Sequence, residues 1–373
     1  MKTLTQILLL GTLLIIISCC NNEPKIEDSL THITYSPTAV QLEYPIYTQL
    51  VQGHEVKLPT MNIPVDNPLT EEGIDLGRHL FYDTKLSADN SMSCASCHLP
   101  EGSFTDNFAF SRGVDGILGT RSSMSLLNVG FYDKGLFWDG RSATLETQAL
   151  APVEDVIELH EEWPNVIKKL KETDLYPEKF RKAFGIERTS DITKELAAKA
   201  ISQFERTIFS FESKFDRYLK GLAVLDDDEL YGFEMYFEIE GAEGPDAQCW
   251  HCHGLPLLTS NDYFNNGLIA AETLDDFIDI GRGKITGKAE NGFFRATSLK
   301  NIALTAPYMH DGSLQTLEEV IDHYSSGGKP SPNKDPLISD IHLSEYDKEA
   351  LLKFLHTLTD DVVINRPDLQ NPF

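Results

Sequence analysis

Cys94-Ala95-Ser96-Cys97-His98 puts two thiols three residues apart, with an imidazole directly behind the second. This is the attachment unit of a c-type haem: the cysteines add across the vinyl groups and the histidine reaches the iron as proximal ligand. Alone the motif is not specific, because CxxC also serves zinc sites and redox dithiols. A second copy, Cys249-Trp250-His251-Cys252-His253, stands far downstream, and together the two use every cysteine outside the first 20 residues. The alternatives are a four-cysteine zinc site, two redox dithiols, or two sterically tight disulfide loops. Zinc-ribbon pairs lie closer, at about 15–20 residues, and either of the first two readings leaves His98 and His253 unexplained. Two covalent haems, held by Cys94, Cys97, His98 and by Cys249, Cys252, His253, are the expectation.

Composition bounds the rest. The chain has 373 residues, enough for two to three domains, and 41% of them are apolar, so it can bury a substantial core. A formal net charge of −26 excludes nucleic acid as a partner, since phosphates need Lys and Arg. It suits a small basic protein, such as an electron donor.

Residues 1–19 read as a targeting segment: Met1-Lys2 starts it, and an apolar run over 8–17 is too short to span a bilayer comfortably. Ser18-Cys19-Cys20 resembles a bacterial lipoprotein signal with Cys19 as the lipidated residue; a plain secretory signal and an uncleaved anchor are the alternatives. Export to the periplasm or cell envelope agrees with the haem reading, since c-type haem is attached outside the cytoplasm. Residues 20–65 carry no sustained periodicity and read as a tether and extended arm. Helices are expected over 69–82 with Thr70 as N-cap, over 191–219 as one long element, from 226 to 236, and over 344–358. With few strand signals, the expected fold is mainly α, in two cytochrome c-like domains with one covalent haem each. The boundaries fall at 66–222 and 223–360, followed by a tail over 361–373 that folds back on the first domain.

The blocks Leu80-Phe81-Tyr82-Asp83, Leu136-Phe137-Trp138-Asp139-Gly140-Arg141, Leu145-Glu146-Thr147-Gln148-Ala149, and Thr305-Ala306-Pro307-Tyr308-Met309-His310-Asp311-Gly312 occur in order around the two motifs. With Pro152 and Glu158-Leu159 they closely resemble the bacterial di-haem cytochrome c peroxidases and their MauG-type relatives, over roughly 66–360. The resemblance implies a peroxidatic haem on the first motif and an electron-transfer haem on the second. It implies that Gln148 and Glu158 line the first haem's distal pocket, and that Trp138 lies between the haems. A carboxylate there takes the proton of peroxide and returns it to the leaving oxygen, while an amide orients the oxygens. Without the resemblance Glu158 would read as a surface acid, Gln148 as a helix-surface amide and Trp138 as core.

Two departures refine this. Many such peroxidases carry a histidine in the loop after the first motif, capping the iron until reduction displaces it; here that place holds Val114. An open first haem follows, needing no reductive activation. Ordinary members use methionine as sixth ligand of the second haem, whereas the corresponding position here is Tyr324, as in MauG-type proteins, with His323 and Met309 as substitutes. An anionic phenolate favours higher iron oxidation states. The family's calcium site would use the carbonyls of Thr305 and Pro307, with Ser122 in the asparagine's place, a poorer ligand for a hard cation.

The implied activity is reduction of hydrogen peroxide with electrons relayed from the C-terminal to the N-terminal haem, donated by a small redox protein. One alternative is MauG-like, peroxide-dependent oxidation of a protein or organic substrate through a high-valent di-haem state. Others are a non-catalytic electron carrier and a zinc-stapled structural lipoprotein. Members of the family often dimerise, so a homodimer is among the implied assemblies.

Overall fold

A computed structural model describes residues 28–373. The expected signal segment and Cys19 lie outside the described residues, as does the start of the expected tether.

The described chain is mainly helical, with two two-stranded antiparallel ribbons, Leu50–Val51 with His54–Glu55 and Tyr263–Phe264 with Phe294–Arg295. Two closely crossed helix pairs organise it. In the first half, helix Glu71–Tyr82 begins at Thr70, whose side chain accepts from the Gly73 N–H at 3.0 Å. It crosses helix Lys194–Glu205 at Gly77, where a Cβ would stand 1.9 Å from the Ala200 carbonyl oxygen. In the second half, helix Asp227–Tyr236 crosses helix Glu345–His356 at Gly232, where a Cβ would lie 2.2 Å from the Ala350 carbonyl oxygen. Only glycine allows backbones so close. Each half therefore has its own apolar core, one around Leu76, Leu80, Trp163 and Phe180, the other around Phe215, Phe233, Tyr236 and Phe354.

The expected single helix over 191–219 is broken. Helix Lys194–Glu205 stops, residues 206–213 run irregularly, and helix Lys214–Leu219 resumes within the second core. Backbone bonds are diverted in between: the Ser210 N–H goes to Asn128 Oδ1 (3.1 Å) and the Glu212 N–H to the Asp360 carboxylate (3.0 Å). From residue 28 the expected tether is instead a packed strap, with Leu30, Val51 and Met61 buried. Tyr47 on the strap donates to Asp216 (3.0 Å), which also pairs with the buried Lys300. The last residues lie against the first helix: Arg78 Nε donates to the Gln370 carbonyl (2.7 Å) and the Tyr82 hydroxyl to that of Leu369 (2.6 Å). Among the described residues, no helix is long and apolar enough to cross a membrane.

Candidate haem centres

Both CxxCH motifs adopt the same local form. Cys94–Ser96 makes one 3-10 turn, after which the His98 N–H returns to the Cys94 carbonyl at 3.1 Å. Cys249–His251 does likewise, with the His253 N–H on the Cys249 carbonyl at 3.0 Å. The turn brings each histidine back beside its two thiols. His98 Nδ1 lies 2.9 Å from the Phe104 carbonyl oxygen, and His253 Nδ1 lies 2.9 Å from that of Thr297. A carbonyl only accepts, so the proton sits on Nδ1 and the Nε2 lone pair is free for a metal, the usual arrangement behind a ligating imidazole. Burial also pushes both imidazole pKa values down, keeping the neutral form a metal needs.

All four cysteines are unpaired, and burial raises each thiol pKa, the reverse of an activated redox dithiol. Among the described residues no cluster of three or more His, Cys, Asp or Glu side chains is placed to hold a metal ion, so the two pairs do not form one zinc site. Around the second motif a cavity encloses about 1450 Å³ of empty space, open mouth included, with Cys249, Cys252 and His253 on its walls among apolar side chains. Free thiols, an oriented imidazole and an apolar cavity fit a covalently attached haem.

Burial first raises the Cys94 and Cys97 thiols of the first motif, and the Glu158 carboxylate adds a lesser electrostatic push to both. Its own pKa is pushed up to about 7, chiefly by burial, helped by Asp155 and opposed by Arg141. A backbone clasp holds its loop. The Val114 N–H donates to the Glu158 carbonyl (2.9 Å), and a Cβ on Gly113 would meet the Ile157 carbonyl oxygen at 2.3 Å. The Val114 hairpin therefore rests against the loop that carries Glu158. Gln148 ends the short helix Leu145–Gln148, capped by Thr144; its backbone N–H goes to the Thr144 carbonyl (2.9 Å), and its side-chain amide makes no hydrogen bond among the described residues. Trp138 is half-buried; its indole N–H donates to the Ser122 carbonyl (2.8 Å) and its ring lies edge-on to His310 at 6.4 Å.

Tyr324 and Met309 both line the cavity of the second motif. The Asn266 amide spans them, donating to the Tyr324 hydroxyl at 3.1 Å and lying 3.3 Å from Met309 Sδ. Burial pushes the Tyr324 phenol up to about 12. His323 Nε2 is instead engaged by the Asn266 carbonyl at 2.9 Å. At the expected calcium position, Ser122 Oγ donates to the Met309 carbonyl (2.9 Å), and Asn107 Nδ2 bridges the Leu304 and Ala306 carbonyls (2.8 and 2.9 Å). Sequence reasoning passed over Asn266, Asn107 and Arg295, another residue on the cavity wall. No motif marks the two asparagines, but a lone arginine in the run Gly292-Phe293-Phe294-Arg295-Ala296 is a signal that could have been read.

The family model for di-haem cytochrome c peroxidase matches residues 71–223. A cytochrome-c peroxidase of Pseudomonas sp. (strain SCT) is 33% identical over 334 residues, covering 81% of this chain and 84% of that protein. The methylamine utilization protein MauG of Methylorubrum extorquens is 33% identical over 311 residues, 82% of this chain and 84% of MauG. The crystal structure of a MauG-like protein associated with microbial copper homeostasis superposes with a TM-score of 0.77 at 35% identity, covering 90% of this chain and 99% of that one. The diheme peroxidase BthA of Burkholderia thailandensis shares the fold, with a TM-score of 0.69 at 21% identity. By sequence and by fold, the chain belongs to the di-haem cytochrome c peroxidase family, MauG included, whose members carry two c-type haems.

Proposed function

We propose that this protein is a peroxidase that reduces hydrogen peroxide at the haem of Cys94, Cys97 and His98, drawing electrons from a redox partner by way of the haem of Cys249, Cys252 and His253. The observation that carries this is Glu158, a half-buried carboxyl whose pKa desolvation pushes up to about 7 and whose charge bears on the Cys94 and Cys97 thiols. Each bound haem supplies an iron that exchanges electrons one at a time. Glu158 accepts the proton of incoming peroxide and delivers it to the departing oxygen, so that peroxide, two electrons and two protons give two waters. Gln148, whose amide is uncommitted, orients the peroxide oxygens. Trp138, anchored through its indole N–H, is the aromatic relay between the haems. Residues 66–222 form the peroxidatic domain and 223–360 the electron-transfer domain. Covalent haem attachment and the Ser18-Cys19 pair support export and anchoring at the cell envelope through Cys19. The Thr305 and Pro307 carbonyls are the calcium ligands in this reading.

Val114 and Tyr324 favour a second reading, MauG-like oxidation of a protein or organic substrate. Valine leaves the first iron uncapped, and a phenolate on the second stabilises its oxidised form. Adding peroxide anaerobically to the di-ferric and to the half-reduced protein, followed by absorbance and EPR, separates the cases. We expect the di-ferric protein to react, and Tyr324→Phe to change the spectrum of the second haem. Reaction only after half-reduction would overturn the role of Val114, an unchanged Tyr324→Phe spectrum that of Tyr324, and no reaction in either state the peroxidase itself.

A further inference from the structure

The phenol of Tyr324 and the thioether of Met309 line the same cavity as Cys249, Cys252 and His253. A haem iron held by His253 has one axial position left, so one of the two fills it. A single amide stands between them: Asn266 Nδ2 donates to the Tyr324 oxygen at 3.1 Å and lies 3.3 Å from Met309 Sδ. The amide is oriented from its other end, where Asn266 Oδ1 accepts from the Leu268 N–H at 3.2 Å, so the N–H groups are the ones that face the two ligands. Its backbone is held too. The Asn266 carbonyl accepts from His323 Nε2 (2.9 Å), which ties it to the helix Leu317–Ser325 that carries Tyr324 and engages the imidazole that could have competed. The Tyr324 oxygen accepts from Asn266 and donates to no group among the described residues.

The two acceptors do not gain alike from that amide. A thioether sulfur is a weak acceptor, whereas an anionic oxygen takes a charge-assisted bond roughly twice as strong as a neutral one. The amide therefore favours the arrangement in which the Tyr324 oxygen carries the negative charge, and that form has no hydroxyl proton in need of an acceptor. We propose that Asn266 is the positioning residue that selects Tyr324 over Met309 as sixth ligand of the second haem, by donating to the phenolate oxygen. The proposal rests on reading Tyr324 as an iron ligand, and it names the residue that makes it one. Met309 is then the displaced ligand, its sulfur resting against the same amide. Thioether ligation raises a haem's potential and phenolate favours the higher oxidation states, so the choice Asn266 makes holds the second haem at low potential.

The test uses full-length holoprotein, with haem content measured first from the pyridine haemochrome spectrum. Asn266→Leu removes the donor at similar volume. In it we expect the phenolate signature of the ferric second haem to give way to a methionine-ligated spectrum, and the midpoint potential of that haem to rise while that of the first is unchanged. Adding Met309→Leu should then abolish the methionine signature. A wild-type spectrum and potential in an Asn266→Leu protein bearing two haems would overturn the proposal. So would a potential that falls while the phenolate signature stays, because Asn266 would then tune a ligand it does not choose. Should the variant fail to mature, the resonance Raman spectrum of the wild type decides. Phenolate bands that shift on exchange into heavy water support a ligand oxygen accepting from an amide N–H, and bands that stay in place overturn it. A wild type whose second-haem spectrum is untouched by Tyr324→Phe would overturn the underlying reading of Tyr324 instead.

Discussion

Near pH 7 the Glu158 carboxyl is divided between its two protonation states, because burial withholds the water that stabilises a carboxylate. A group poised in this way can both take and return a proton. Glu158→Gln keeps the shape and removes the base, so we expect peroxide reduction to fall by about 10²–10⁴-fold with both haem spectra intact. In the wild type, the step that consumes peroxide should quicken as pH rises through about 7, and a stopped-flow pH series on wild type and variant checks both. The same shift has a sign for stability. The unfolded carboxyl releases its proton near 4.5 and the folded one near 7, so stability is lost as pH rises between those values and is level above them. The sequence showed Glu158 only through its place in a family pattern. Taken alone it was one of 58 acidic residues, and its raised pKa comes from the desolvating packing that surrounds it.

The helices expected over 69–82, 226–236 and 344–358 formed; Thr70 caps the first as expected, and the structure adds Asp226 and Ser344 as caps of the other two, each accepting from a first-turn N–H. The segment 191–219 misled for a physical reason. Ile201, Phe204, Ile208, Phe211 and Phe215 keep helical spacing, yet the backbone between 206 and 213 bonds to partners far away in sequence. Asp360 is the chief of these. Its carboxylate accepts from the Ser210 hydroxyl (2.8 Å) and from the N–H groups of Glu212 (3.0 Å), Val362 (3.0 Å) and Val363 (3.3 Å), at 2% exposure. Asp360→Ala leaves these four donors without their acceptor, the Ser210 hydroxyl and the Val363 N–H in buried positions. We expect a loss of about 2–4 kcal/mol in denaturant unfolding, whereas Asp361→Ala, on the exposed side, should cost under about 1 kcal/mol.

Over the whole molecule, 58 acidic against 32 basic residues make a net negative field, which draws a basic protein toward the molecule and repels an acidic one. Turnover with a basic electron-donor protein should therefore fall steeply as ionic strength rises from about 0.01 to 0.15 M, as the screening length shrinks from about 30 to 8 Å. Turnover with an uncharged small-molecule donor should not, and steady-state rates across a salt series would show the difference. Two levels of information meet in this chain. The sequence by itself determined the two CxxCH motifs, the first, middle and last capped helices, the helical class and the acidic balance of charge, because each depends on neighbours within a few residues or on a simple sum of charges. Only the tertiary structure decided that residues 28–69 strap both halves together, that the 191–219 segment breaks, that Val114 is clasped to the Glu158 loop, and that Asn266 stands between Tyr324 and Met309 on the wall of the second haem cavity. Those features depend on which distant groups compete for a hydrogen bond or a cavity wall, and spacing along a chain does not encode that competition.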